Sequence, residues 1–125
     1  MLIENMVFSR LDKNPDFGGG VVFRDCRFEG LDYPNISSED TIYIDCTICD
    51  CKFYGYAFIS TSFFKCEFSN VHFENVVFMD CDFIKCNFTN SEISQGESPE
   101  SMLQNTKFFA CNKSNSLGFN FTNGL

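Results

Sequence analysis

Large apolar residues recur at every fifth position along most of this chain. Positions whose numbers end in 3 or 8 read Phe23, Phe28, Tyr33, Ser38, Tyr43, Ile48, Phe53, Phe58, Phe63, Phe68, Phe73, Phe78, Phe83, Phe88 and Ile93. Fourteen of these fifteen are large and apolar or aromatic, with Ser38 the exception, and the frame never slips. Phe8 and Phe108 share the phase outside that window. A helix repeats its apolar face near 3.6 residues and a strand at 2.0. Steps of five would scatter the rings around a helix and alternate them across a straight strand. The pattern therefore predicts a chain of short strands that turns a corner every five residues.

The position two earlier carries small or β-branched residues in most repeats, among them Val21, Cys26, Thr41, Cys46, Cys51, Thr61, Cys66, Val71, Val76, Cys81, Cys86 and Ser91. Residues two apart on an extended backbone share a face. Each unit of five thus turns one small and one large side chain inward. The other three positions are mostly Asp, Glu, Lys, Asn, Ser and Gly.

With its triplets CEF at 66–68, CDF at 81–83 and CNF at 86–88, the chain resembles the pentapeptide-repeat family over at least residues 21–93. It is similar to the variant with Cys and Phe, where the common family pattern has Ala and Leu. The resemblance implies an all-β fold, a right-handed quadrilateral β-helix in which four pentapeptides make one square coil of twenty residues. Repeats of this kind decide the fold before any other feature does. The departures are Ser38 and the loss of pattern after Ile93.

At 125 residues the chain is expected to form a single domain, 1–125. Residues 1–20 read as an N-terminal cap, because Lys13 and Gly18 break the phase, and residues 21–93 as regular coils. Residues 94–105 read as a loop or short helix, with Ser98-Pro99-Glu100 as a helix start near 99–105. Thr106, Phe108 and Cys111 resume the phase, so 106–125 read as a last partial coil and C-terminal cap, which LGFNF helps to close. A weakened corner or bulge is expected around Ser38.

The balance of 9 basic and 17 acidic residues leaves a net charge of −8. That is opposite in sign to the footprint of a nucleic-acid binder, and it disfavours an anionic membrane surface. No run approaches the ~20 apolar residues of a membrane span, and the first residues lack a secretory core. The expected setting is cytoplasmic, with no direct nucleic acid and no membrane as partner.

Eight cysteines suggest disulfides or metal, but the repeat explains them more simply. Cys26, Cys46, Cys51, Cys66, Cys81, Cys86 and Cys111 all occupy the small inward position, and Cys26, Cys46, Cys66 and Cys86 fall twenty apart, in one ladder. Buried free Cys packs as a small hydrophobe, and reduced thiols are expected. CTICDC at 46–51 has a C-x-x-C spacing, but Cys46 and Cys51 point inward and Cys49 outward, and His72 is the sole histidine. A zinc site needs four converging ligands, so no metal and no cofactor are expected. No catalytic fingerprint is present, and an enzyme is not expected.

Residues twenty apart share an outer face. One face carries Arg24, Ile44, Phe64 and Ile84, with Ile42 beside them. The preceding face carries Glu39, Ile59 and Met79, with Ala57 and Val77 beside them. Together they form a contiguous apolar surface, which a soluble monomer rarely exposes without reason. It is expected to meet a protein partner or a second copy, or to be covered by residues 94–125 or 1–20. Asp40, Asp80, Glu97 and Glu100 are secondary acidic and loop candidates.

These features point to a binding protein that inhibits or protects a macromolecular target, with a nucleic-acid-handling enzyme as the leading class. The alternatives are a phage-type or immunity-type protein–protein inhibitor such as an anti-CRISPR, and a self-associating structural module. The resemblance adds a gyrase-directed DNA mimic. Against mimicry, fifteen pentapeptides make under four coils, about 18 Å at ~4.8 Å per coil, the length of about five base pairs.

Overall fold

The computed structural model describes residues 1–9, 19–32, 39–94 and 103–118. The described residues form short parallel strands stacked into four sheets, and no helix occurs among them. The first side of the solenoid holds six strands in order: Leu2–Glu4, Val22–Arg24, Ile42–Ile44, Ser62–Phe64, Asp82–Ile84 and Lys107–Phe109. The second side holds Val7–Ser9, Arg27–Glu29, Thr47–Cys49, Glu67–Ser69, Asn87–Thr89 and Asn112–Ser114. The third holds Lys52–Tyr54, His72–Glu74 and Glu92–Ser94, extended by bridges from Asp32 to Lys52 and from Leu117 to Glu92. The fourth holds Ala57–Ile59, Val77–Met79 and Leu103–Gln104, with Glu39 bridged to Ile59.

The corners explain why the chain can turn every five residues. Every described residue whose number ends in 0 or 5 has a positive φ, from 49° at Asp40 to 73° at Gly20. This left-handed conformation suits Gly, Asn and Asp, whose short side chains tolerate it. Most corner positions comply, as at Asp25, Asp50, Asn70, Asn75 and Gly55, while Lys65, Lys85, Ser60 and Ala110 accept the strain. At each described corner from Asn5 to Asn90 the backbone N–H donates to a carbonyl of the next coil, as from Asp45 to Phe64 at 2.9 Å and from Asn70 to Thr89 at 2.9 Å. No corner amide among these is left without an acceptor, which burial would penalise.

Inside, the large residues form stacked columns. On the first side, Phe23, Tyr43, Phe63, Phe83 and Phe108 follow one another with ring centroids 5.1, 4.8, 4.7 and 4.7 Å apart and planes within 12°. Rings on neighbouring sides meet edge to face, as Phe78 does with Phe83 at 5.4 Å. Each buried Phe contributes roughly 1.5–3 kcal/mol. The small inward position has a second duty. Its side chain donates to the carbonyl two residues earlier: Thr61 to Ile59 at 3.1 Å, Ser91 to Thr89 at 3.0 Å, Cys46 to Ile44 at 3.4 Å. Thr, Ser and Cys interchange there because all three are small and carry a donor.

Two boundaries differ from the sequence reading. The regular coils begin at the first residues, not at 21. Leu2–Glu4 pairs in register with Val22–Arg24, and Val7–Ser9 with Arg27–Glu29. Lys13 and Gly18 lie outside the described residues, and the phase break there does not reach the strands before it. The second difference is at the helix expected near 99–105. Leu103–Gln104 is a strand paired with Phe78 and Met79, and Asn105 is a left-handed corner. Sheet pairing along the fourth side overrides the local helix signal; Ser98, Pro99 and Glu100 lie outside the described residues, as do Ser38 and most of LGFNF.

Candidate protein-contact surface

On the first side, the two outward positions of each strand form two rows. One row runs Glu4, Arg24, Ile44, Phe64, Ile84, Phe109, each residue in register with the next. The other runs Leu2, Val22, Ile42, Ser62, Asp82, Lys107 in the same register. The apolar members cross diagonally from Leu2, Val22 and Ile42 to Ile44, Phe64, Ile84 and Phe109. Ile42 is 41% exposed and Phe109 53%, while Ile44, Phe64 and Ile84 are half-buried by the neighbours stacked above and below them.

The fourth side continues this surface around one corner. Ala57 lies in register with Val77, and Ile59 with Met79. Ala57 is exposed and the other three are half-buried. Asp40 and Asp80 occupy the corner between the two apolar sides, both exposed, and Asn105 donates to Asp80 Oδ1 at 2.7 Å. The structure thus gathers ten of the twelve residues singled out in the sequence onto two adjoining sides and their shared corner. The other two, Glu97 and Glu100, lie outside the described residues.

Leu2, Val22 and Phe109 belong to the apolar first side and were missed in the sequence. Leu2 fell within the segment read as a cap. Phe109 joins the column only because the last step is twenty-five residues, Ile84 to Phe109, instead of twenty. The described parts of the chain's ends, 1–9 and 103–118, add strands to the sheets and do not fold across the first side.

The remaining surface is mostly polar, with Met6, Val7, Tyr54 and Leu117 as exposed apolar residues. Charges are partly compensated: on the first side Arg24 pairs with Glu4, and on the second Arg27 Nε pairs with Glu29 at 2.6 Å. On the third side Lys52, His72 and Glu92 stack in register and line an open concavity with Glu74 and Ser94. All eight cysteines are buried free thiols, and among the described residues no group of three or more His, Cys, Asp and Glu is placed to hold a metal ion. Cys49 takes the outward position in its strand, as the frame requires, yet is only 7% exposed. Burial pushes the Cys51 and Cys81 thiols up to about 11. The column from Cys46 through Cys66 and Cys86 continues to Cys111, whose Sγ donates to Phe83 O at 3.2 Å.

Residues 58–95 match the family model of pentapeptide repeats, in eight copies. None of the curated proteins matches the sequence. Among solved structures, the chain is similar to a pentapeptide repeat protein, Rfr23, from the cyanobacterium Cyanothece 51142. The TM-score is 0.58 at 10% identity, over 93% of this chain and 86% of that one. It is also similar to a trypsin-treated variant of QnrB1, a plasmid-mediated fluoroquinolone resistance protein. There the TM-score is 0.57 at 16% identity, over 92% of this chain and 67% of that one. At such identities the likeness is one of fold.

Proposed function

We propose that this β-solenoid, whose residues 58–95 match the pentapeptide-repeat model, is a non-enzymatic cytoplasmic binding protein that inhibits or protects a macromolecular target, with a nucleic-acid-handling enzyme as the leading class. The observation that carries this reading is the unbroken apolar column Ile44, Phe64, Ile84 and Phe109 on an acidic solenoid. The inner columns account for the coil, and outward positions accept polar residues, as Glu4, Arg24, Ser62 and Asp82 show on the same side. Contiguous apolar patches on soluble proteins mark contact surfaces.

Mimicry of DNA is the weaker reading. Six stacked strands span about 24 Å at ~4.8 Å per step, the length of about seven base pairs. The corner column beside the first side also changes sign, from Asp25 and Asp45 to Lys65 and Lys85. Two phosphate-like rows would keep one sign throughout.

The test uses gyrase as the first target, since the relative QnrB1 is a fluoroquinolone resistance protein. The protein is titrated into a DNA supercoiling assay with and without a fluoroquinolone. We expect an effect that persists from about 50 to about 250 mM salt, because an apolar contact is little screened, and that is lost in the Phe64→Asp/Ile84→Asp double variant. An effect that disappears with salt but survives the double variant would overturn the apolar contact in favour of mimicry. No effect at all would remove gyrase as the target.

A further inference from the structure

We propose that the occupant of the first side is a second copy of this chain, packed face to face and antiparallel about a two-fold axis that runs along the strands midway between Ile42–Ile44 and Ser62–Phe64. This rests on the reading of that side as a contact surface, for which the second copy competes with the macromolecular target.

The argument is charge complementarity along one edge. The corner between the first and second sides carries Asn5, Asp25, Asp45, Lys65, Lys85 and Ala110 on successive coils. The column is acidic in one half and basic in the other. The two-fold axis reverses the order of coils while leaving each column facing its own copy. It sets Asp45 opposite Lys65 and Asp25 opposite Lys85, and each pairing occurs twice, as an isologous contact requires. Lys65 already leans over the face, with Nζ 5.3 Å from the centroid of the Phe64 ring. At the opposite corner the same operation sets Asp40 against Ser60 and Gly20 against Asp80, so like charges do not meet. A two-fold axis along the solenoid would instead set Asp45 against Asp40 and Lys65 against Ser60, leaving Lys85 with Asp80 as its one attractive pairing.

The same operation sets Ile44 against Phe64 at the centre of the contact. It also sets Ile42 against Ser62, and toward the ends it brings Arg24 opposite Ile84, Asp82 opposite Val22, Glu4 opposite Phe109 and Lys107 opposite Leu2, which keeps the contact weak. The side is about 24 Å tall and, at ~3.3 Å per residue, about 10 Å across. A face of about 240 Å² on each copy is smaller than the usual specific interface, so the dimer is weak and concentration-dependent. The apolar centre supplies the affinity; the charged edge selects the antiparallel direction and speeds encounter.

Light scattering from about 10 to about 500 µM, the range suited to a small interface, tests this with two charge-column variants. Lys65→Asp/Lys85→Asp makes the column wholly acidic, and Asp25→Lys/Asp45→Lys makes it wholly basic. All four residues are exposed, and circular dichroism checks that each variant remains folded. The expected result is a wild-type dimer at twice the 14.3 kDa chain mass, association weakened about tenfold or more in each variant alone, and a mixed dimer when the two variants are combined. A wild type that stays monomeric throughout overturns the proposal and leaves the contact-surface reading to the supercoiling assay. Variants that fail to combine, or that dimerise as well as wild type, overturn the antiparallel arrangement. A dimer that also survives Phe64→Asp uses another surface and overturns the first side as its site.

Discussion

Phe78 pairs with Leu103 across a separation of twenty-five residues, although its partner on the coil before, Phe58, lies only twenty away. The step stays at twenty-five for Phe83 with Phe108 and for Asn87 with Asn112. One extra pentapeptide's length of chain therefore enters between Ser94 and Leu103, and everything beyond it keeps its phase.

Removing five residues from within 95–102 should restore the twenty-residue step and leave the fold intact. Removing three instead should throw Thr106, Phe108 and Cys111 out of the interior. We expect the five-residue deletion to keep its melting temperature within a few degrees, since the length of a connection costs little. The three-residue deletion should lose the last coil, seen as lower strand content by circular dichroism.

Ala110 occupies a left-handed corner at φ 55° with no side-chain group to compensate. An L-residue there costs roughly 1–2 kcal/mol. Ala110→Gly should stabilise the protein by up to about 1 kcal/mol after the flexibility that Gly adds to the unfolded chain. A thermal melt should rise by a few degrees; a fall would mean that the corner strain is relieved elsewhere.

Phe83 lies between Phe63 and Phe108, both 4.7 Å away, and is 1% exposed. Phe83→Ala should cost about 3–5 kcal/mol, because the stacked coils cannot collapse into the space. Phe8, in the first coil and 8% exposed, has a neighbouring coil on one side only among the described residues. Phe8→Ala should cost about half as much or less. Denaturant midpoints of the two variants make the comparison.

Cys51 and Cys81 have thiols pushed up to about 11 by burial, against an ordinary value of 9.0. An acid whose folded value is raised holds its proton in the native state after the unfolded chain has lost it. Stability from these groups is therefore full below about pH 9 and falls as pH rises toward 11. The loss is on the order of 2 kcal/mol per thiol. Replacing both with Ala should flatten that part of the stability profile, although it lowers stability at neutral pH. Because all eight cysteines are buried free thiols, a thiol reagent at pH 7 should label them only after denaturation.

The sequence by itself determined the square coil, the inward columns and most of the apolar surface. The reason is geometric: a frame of five sets which side chains point in, and a step of twenty sets which share a face. Phe64 and Ile84 could be placed together from their numbers alone. The corners were equally legible in principle, since Asp, Asn and Gly cluster at positions ending in 0 and 5. What the frame could not reveal was the length of each coil. Five extra residues are invisible to a pattern of period five, so only the pairing of Ile84 with Phe109 extended the apolar column to its end. Tertiary pairing also decided the strands at Leu2–Glu4 and Leu103–Gln104. Three residues carry too little local signal to declare a strand; the neighbouring coil, with its open hydrogen-bonding edge, declares it for them.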